Sequence, residues 1–130
     1  MMTKLPTLIP YITVQSAKTS IEFYKNAFGF EWINQHDGEN SDHAEMKYKD
    51  VVIMFSSKGA FGGTTKTPHT LNVECSMNLY LYCDDVDQLY KTSLEQGALS
   101  VMQPNDAFWG DRVCQVKDID GFMWMFATKL

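Results

Sequence analysis

The chain says nearly the same thing twice, and that repetition constrains its fold more than any single motif. The first statement is a strand, a helix and three strands. Ile9–Val14 reads as a short strand. Ala17, Ile21, Tyr24 and Phe28 then recur at helical spacing, beginning after Ser16, a good N-cap, and ending at Gly29, a good C′ residue. Phe30–Gln35, His43–Tyr48 and Val51–Ser56 follow as strands, the last two separated by Lys49-Asp50, which suits a tight hairpin turn.

The second statement keeps that order. Met77–Cys83 reads as a strand, and Asp85 with Gln88 resembles a capping box for a helix whose apolar stripe is Val86, Leu89, Tyr90 and Leu94 and which Gly97 closes. Strands are expected at Leu99–Met102, Arg112–Lys117 and Phe122–Ala127, the last two joined by the turn Asp118-Ile-Asp-Gly121. Individual residues coincide as well: Phe23-Tyr24-Lys25 matches Leu89-Tyr90-Lys91, and Val51–Phe55 matches Phe122–Phe126. The economical explanation is an α+β chain of two βαβββ modules, 7–57 and 77–130, in one domain. The Gly-, Thr- and Ser-rich residues 58–76 read as the connector.

Composition narrows the function. With 130 residues, 45% apolar and 21% charged, the chain can build a real core and is neither disordered nor fibrous. Eleven basic against sixteen acidic residues give a net charge of −5, and no basic cluster offers phosphates a track, so a nucleic-acid module is not expected. No apolar run approaches the length of a membrane span, and the start lacks a secretion signal, so the expected location is the cytoplasm with no membrane partner. Cys75, Cys83 and Cys114 form an odd, sparse set without CxxC spacing, which reads as reduced thiols rather than a disulfide scaffold or a cysteine zinc site.

The ordered pieces Tyr11-Ile-Thr-Val14 with Ser20-Ile-Glu-Phe-Tyr24, His43-Ala-Glu45, Tyr80-Leu-Tyr-Cys-Asp-Asp-Val86, Phe108-Trp-Gly-Asp-Arg112 and Asp118-Ile-Asp-Gly121 resemble the vicinal oxygen chelate superfamily. That superfamily includes glyoxalase, bleomycin-resistance and extradiol dioxygenase proteins, and the pieces are most similar to its PhnB-like branch. The resemblance implies paired modules whose mixed sheets curve into an open cup with helices on the convex side. It also implies a homodimer, with the cup formed within one chain or between swapped modules.

Enzymes of that superfamily hold a divalent metal in the cup with four side chains, typically His, Gln or Glu. In the matching register these positions fall on Ile9, Met54, Asn78 and Met125. Hydrocarbon and thioether do not ligate a hard divalent ion, and one Asn carbonyl is too weak to hold it. The expectation is therefore a member with no metal and no cofactor. His36, His43, Glu45 and His69 remain as other donors; His43 and Glu45, two apart in a strand, would share a face, while His36 and His69 read as solvated loop residues.

Strand alternation places Ile9, Tyr11, Thr13, Val52, Met54, Asn78, Tyr80, Tyr82, Met123 and Met125 toward the cup, with His43, Glu45, Arg112 and Cys114 beside them. Val51, Ile53, Phe55, Leu79, Leu81, Phe122, Trp124 and Phe126 face the helices. Apolar walls with a few polar groups suit a small molecule, and adaptable Met beside aromatic rings suits a flat one. Phe108-Trp109-Gly110 reads as a connection: Trp109 folds over the cup mouth and stacks on a ligand, or Phe108 and Trp109 plug the dimer interface or the barrel end. Arg112 with Asp111 pairs with a ligand carboxylate or forms a strand-end salt bridge.

The leading expectation is a drug-sequestration-like protein that binds a small aromatic molecule and performs no chemistry, through Tyr11, His43, Glu45, Met54, Asn78, Tyr80, Tyr82, Trp109, Arg112, Met123 and Met125. No catalytic residue is assigned, since there is neither a GxSxG elbow nor a phosphate loop. Two alternatives stay open. One is a metal-dependent lyase, isomerase or dioxygenase with an unconventional site using His43 and Glu45. The other is a structural or regulatory dimer with a filled cup.

Overall fold

The computed structural model describes residues 5–34 and 42–130, so His36 lies outside the described residues. β1 (Tyr11–Val14), α1 (Ala17–Phe28), β2 (Glu31–Asn34), β3 (His43–Tyr48) and β4 (Val51–Ser57) form the first run. After α2 (Pro68–Leu71), the order repeats as β5 (Asn78–Tyr82), α3 (Val86–Glu95), β6 (Leu99–Asp106), β7 (Asp111–Lys117) and β8 (Met123–Lys129). The strands make two four-stranded mixed sheets with the same topology, β1-β4-β3-β2 and β5-β8-β7-β6. In each, the first strand runs parallel to the last and the other pairings are antiparallel. The chain divides into two compact units. Among the described residues, one holds 5–25, 29–34 and 42–66; the other holds 26–28 and 67–130, so the division falls inside the connector.

The helix ends form for local reasons. The Ser16 side chain accepts from the Thr19 amide, and Gly29 takes the left-handed conformation at φ 79°, letting its N–H and that of Phe30 reach back to the Lys25 and Tyr24 carbonyls. At α3, Asp85 Oδ1 accepts from the Gln88 amide at 3.1 Å, but the Gln88 side chain turns to Thr92 Oγ1. Half of the expected capping box is therefore made.

In the first unit, alternation on β1, β3 and β4 buries Ile12, Val14, Ala44, Met46, Ile53 and Phe55 on one face, where Tyr24 of α1 meets the Phe55 ring at 5.5 Å. In the second unit, Leu81, Cys114, Val116, Trp124 and Phe126 fill the equivalent face. Phe28 packs its ring there against Trp124 and Phe126, at 5.1 and 4.8 Å.

Two sequence expectations change. The β6 strand does not stop at Met102 but runs to Asp106, with register shifts on the way. Pro104 is tolerated because β6 is an edge strand, where a missing N–H need cost no ladder bond. The connector also carries structure: Thr67 caps α2, and the His69 amide donates to the Asp120 carbonyl at 3.1 Å. That contact requires Gly121, at φ 94°, because a Cβ there would sit 2.9 Å from the His69 nitrogen.

Candidate functional site

The helix-free face of each sheet carries most of the residues singled out from the sequence. In the second unit the parallel pairing of β5 with β8 sets Asn78 against Met123 and Tyr80 against Met125. The antiparallel pairing of β7 with β8 sets Gln115 against Met125 and Asp111 against Lys129. Tyr80, Tyr82, Met123, Met125, Gln115 and Asp111 thus share one face.

Asp111 organises it. Its Oδ2 accepts the Tyr80 and Tyr82 hydroxyls at 2.7 Å each and the Trp109 indole N–H at 3.2 Å. The same indole N–H lies 3.0 Å from the Tyr80 oxygen. The carboxylate is itself buried, yet the rings around it stay open: Tyr80 is 42% exposed, Tyr82 46% and Trp109 51%. Lys129 places its ammonium 5.0 Å from the centre of the Tyr82 ring. The hydrogen bonds from Tyr80 and then Tyr82 hold the Asp111 carboxyl below the usual range. The Tyr82 phenol is pushed up to about 12, first by its bond to that carboxylate; Tyr80 is raised by burial and then by the same partner. Beside them, Gln115 donates from Nε2 to Asn78 Oδ1 at 2.6 Å.

In the first unit, Tyr11 and Glu45 both pair with Met54, and Thr13 and His43 both pair with Ser56. Tyr11 and His43 reach each other over the central strand β4: the Tyr11 hydroxyl lies 3.2 Å from His43 Nδ1, and His43 Nε2 lies 3.3 Å from Glu45 Oε2. Ser56 Oγ hydrogen-bonds the Tyr11 hydroxyl and lies 3.4 Å from His43 Nδ1.

Arg112 and Cys114 are corrections. Both belong to the helix-covered face, because Arg112 pairs with Thr128 and Cys114 with Phe126. Arg112 forms a salt bridge, binding Asp87 at 2.8 and 3.0 Å and Asp106 at 3.0 Å. Burial pushes the Cys114 thiol up to about 12. Sequence reasoning named Asp111 only beside Arg112 and missed its part in this cluster, and it missed Gln115 and Ser56. Ser56 could have been found by extending the Val52, Met54 alternation one step. Trp109 lies, as expected, on the connection between β6 and β7, with Phe108 96% exposed. His69 is exposed on α2. A groove of about 630 Å³ lined by Lys18, Ile21, Lys25, Phe30 and Trp32, among others, contains none of the expected site residues.

A family model for the Glyoxalase/Bleomycin resistance protein/Dioxygenase superfamily matches residues 7–126. The chain belongs to this superfamily. Among its relatives is an uncharacterized protein of Mycobacterium bovis, 29% identical over 92% of this chain and 80% of that one. The fold is shared with TioX from Micromonospora sp. ML1, at TM-score 0.73 and 21% identity, over 95% of this chain and 98% of that one. It is also shared with the fosfomycin resistance protein FosX from Mesorhizobium loti, at TM-score 0.69 and 12% identity, over 99% and 95%.

The divalent metal that the superfamily implies does not fit this donor set. Tyr11 and Glu45 flank a thioether at Met54, and Tyr80 and Gln115 flank another at Met125. Among the described residues no three His, Cys, Asp or Glu side chains come together as a cation would require. No helix among the described residues is long and apolar enough to cross a membrane.

Proposed function

We propose that this superfamily member binds a small planar aromatic molecule, as a drug-sequestering protein does, with its affinity residing in ring contacts rather than metal coordination. The observation that carries this reading is the Asp111 cluster. Rigid, solvent-facing aromatic rings are costly to display, because each leaves apolar surface in water. Here one buried carboxylate holds three of them by their polar ends and leaves each about half exposed. Met125, partly buried between Tyr80 and Gln115, adds a polarizable surface that adapts to a ring. The fosfomycin resistance protein that shares the fold adds support for a role in handling drugs.

The test is a fluorescence titration of the protein with a panel of aromatic antibiotics and a phenazine dye. Trp109 is half-exposed in the cluster whereas Trp124 is buried. Saturable quenching that Trp109→Phe abolishes is expected. No response to any member of the panel would refute the proposal.

A further inference from the structure

The first unit holds a second arrangement that ligand binding alone does not use. An ionised Glu45 carboxylate accepts, so in the neutral tautomer that carries its proton on Nε2, toward Glu45, His43 turns its Nδ1 lone pair to the Tyr11 hydroxyl. Ser56 completes the set by hydrogen-bonding the Tyr11 oxygen. The donors then run in one direction: Ser56 to Tyr11, Tyr11 to His43, His43 to Glu45. His43 and Glu45 are largely enclosed, with side chains 11% and 9% exposed, while Tyr11 is 57% exposed at the solvent end.

This geometry is specific to one module. The strand pairings that place Tyr11, Glu45, His43 and Ser56 in the first unit place Tyr80, Gln115, Val113 and Ala127 in the second. There the base and its acidic partner are replaced by Val and an amide, so the relay is not a requirement of the fold. The small side chain of Ser56 also matters, since Tyr11 and His43 meet across it from strands that are not neighbours.

We propose that Tyr11, His43 and Glu45 form a metal-independent proton relay that acts on a neutral carbon acid, such as a carbonyl compound with an acidic neighbouring C–H. The Tyr11 oxygen takes the substrate proton while its own proton passes to His43 Nδ1. The electron pair of the C–H bond moves into the substrate to form an enolate. The imidazolium so formed keeps its Nε2–H on the Glu45 carboxylate, which offsets the new positive charge. Return of the proton along the same path restores the protein, with no oxidant or reductant needed. Tyr11 is the catalytic residue; behind it His43 accepts the relayed proton and Glu45 positions the imidazole.

The experiment uses the full chain and nitrobenzisoxazole, a planar carbon acid whose C–H is removed as its N–O bond breaks, releasing a coloured cyanonitrophenolate. A protein-dependent rate above buffer is expected, falling by about 100-fold or more in His43→Ala, within the range for loss of a general base. Added imidazole should restore His43→Ala saturably, which a merely structural role for the side chain would not allow. Tyr11→Phe should lose the rate without loss of fold, Glu45→Gln should lower kcat more than it raises KM, and His69→Ala should retain the native rate. A nitrogen NMR spectrum should show the His43 proton on Nε2. The proposal is overturned by a native rate equal to buffer, by an undiminished rate in His43→Ala or Tyr11→Phe, or by a proton on Nδ1. Dye binding at Trp109 is scored separately, so either site can fail alone.

Discussion

Tyr82 donates its phenolic proton to Asp111 Oδ2 at 2.7 Å, the same oxygen that accepts the proton of Tyr80. The two partners shift in opposite directions for one reason. The bond is strongest when the carboxyl is ionised and the phenol is not, so the Asp111 carboxyl is lowered from 3.8 while the Tyr82 phenol rises from 10.0 to about 12.

The pH dependence of stability follows from those directions. Asp111 binds protons less readily folded than unfolded, so its contribution is complete above the ordinary carboxylate range and is lost as pH falls below 3.8. Tyr82 holds its proton more firmly when folded, so its contribution is complete below 10.0 and is lost as pH rises toward about 12. Tyrosinate absorbance should show two late-titrating phenols, Tyr80 and Tyr82, with Tyr82 moving back toward 10.0 in Asp111→Asn. An unchanged titration in that variant would refute the assignment.

Metal removal tests the donor argument. Ring contacts at Tyr80, Tyr82 and Trp109 need no ion, so the affinity for any dye that the protein binds should be the same before and after exhaustive chelation. Weakening by the chelator, reversed by one particular divalent ion, would show that an ion contributes to the site.

The sequence made the first sheet readable and left half of the second ambiguous. The two-residue turn at Lys49-Asp50, with Lys49 at φ 54°, fixes the hairpin so that Glu45 falls opposite Met54. Clean alternation then sorts β4. By contrast β7 has apolar residues on both faces: Val113 is 1% exposed and Cys114 0%, yet they point to opposite sides. With no alternation to follow, Arg112 is expected on the face that Asp111 in fact occupies. The loop after β7 settles the matter only through its backbone bond from the Asp118 amide to the Phe122 carbonyl, which sets Lys117 opposite Met123. The Asp111 cluster is hidden for a further reason: two of its three donors, Tyr80 and Tyr82, come from β5, 31 and 29 residues away.

Thiol reactivity should separate the cysteines. Cys83 and Cys114 are buried, and burial raises both thiols, the latter to about 12, so neither offers an accessible thiolate near neutral pH. Cys75 is partly exposed. An aromatic disulfide reagent should therefore consume one thiol quickly in the native protein and the remaining two only after denaturant is added. Rapid reaction of two or more native thiols would contradict the burial.

Asp118 should matter to stability more than any residue of the open face. It is 4% exposed, and its carboxylate accepts from the Asp120 amide at 3.0 Å, the Phe122 amide at 2.9 Å and the buried Trp124 indole at 2.9 Å. Replacing it with Ala leaves three enclosed donors without that partner and loosens the turn that sets the β7–β8 register. Each unsatisfied buried donor costs about 1–3 kcal/mol and part of that is recovered by water, so Asp118→Ala should lose about 2–4 kcal/mol. Urea unfolding would register this as a lower midpoint with an unchanged slope. Asp118→Asn, which keeps an acceptor oxygen but only one, should fall between the two. A midpoint within error of the native protein for Asp118→Ala would show that the turn is held by its backbone bonds and Gly121 alone.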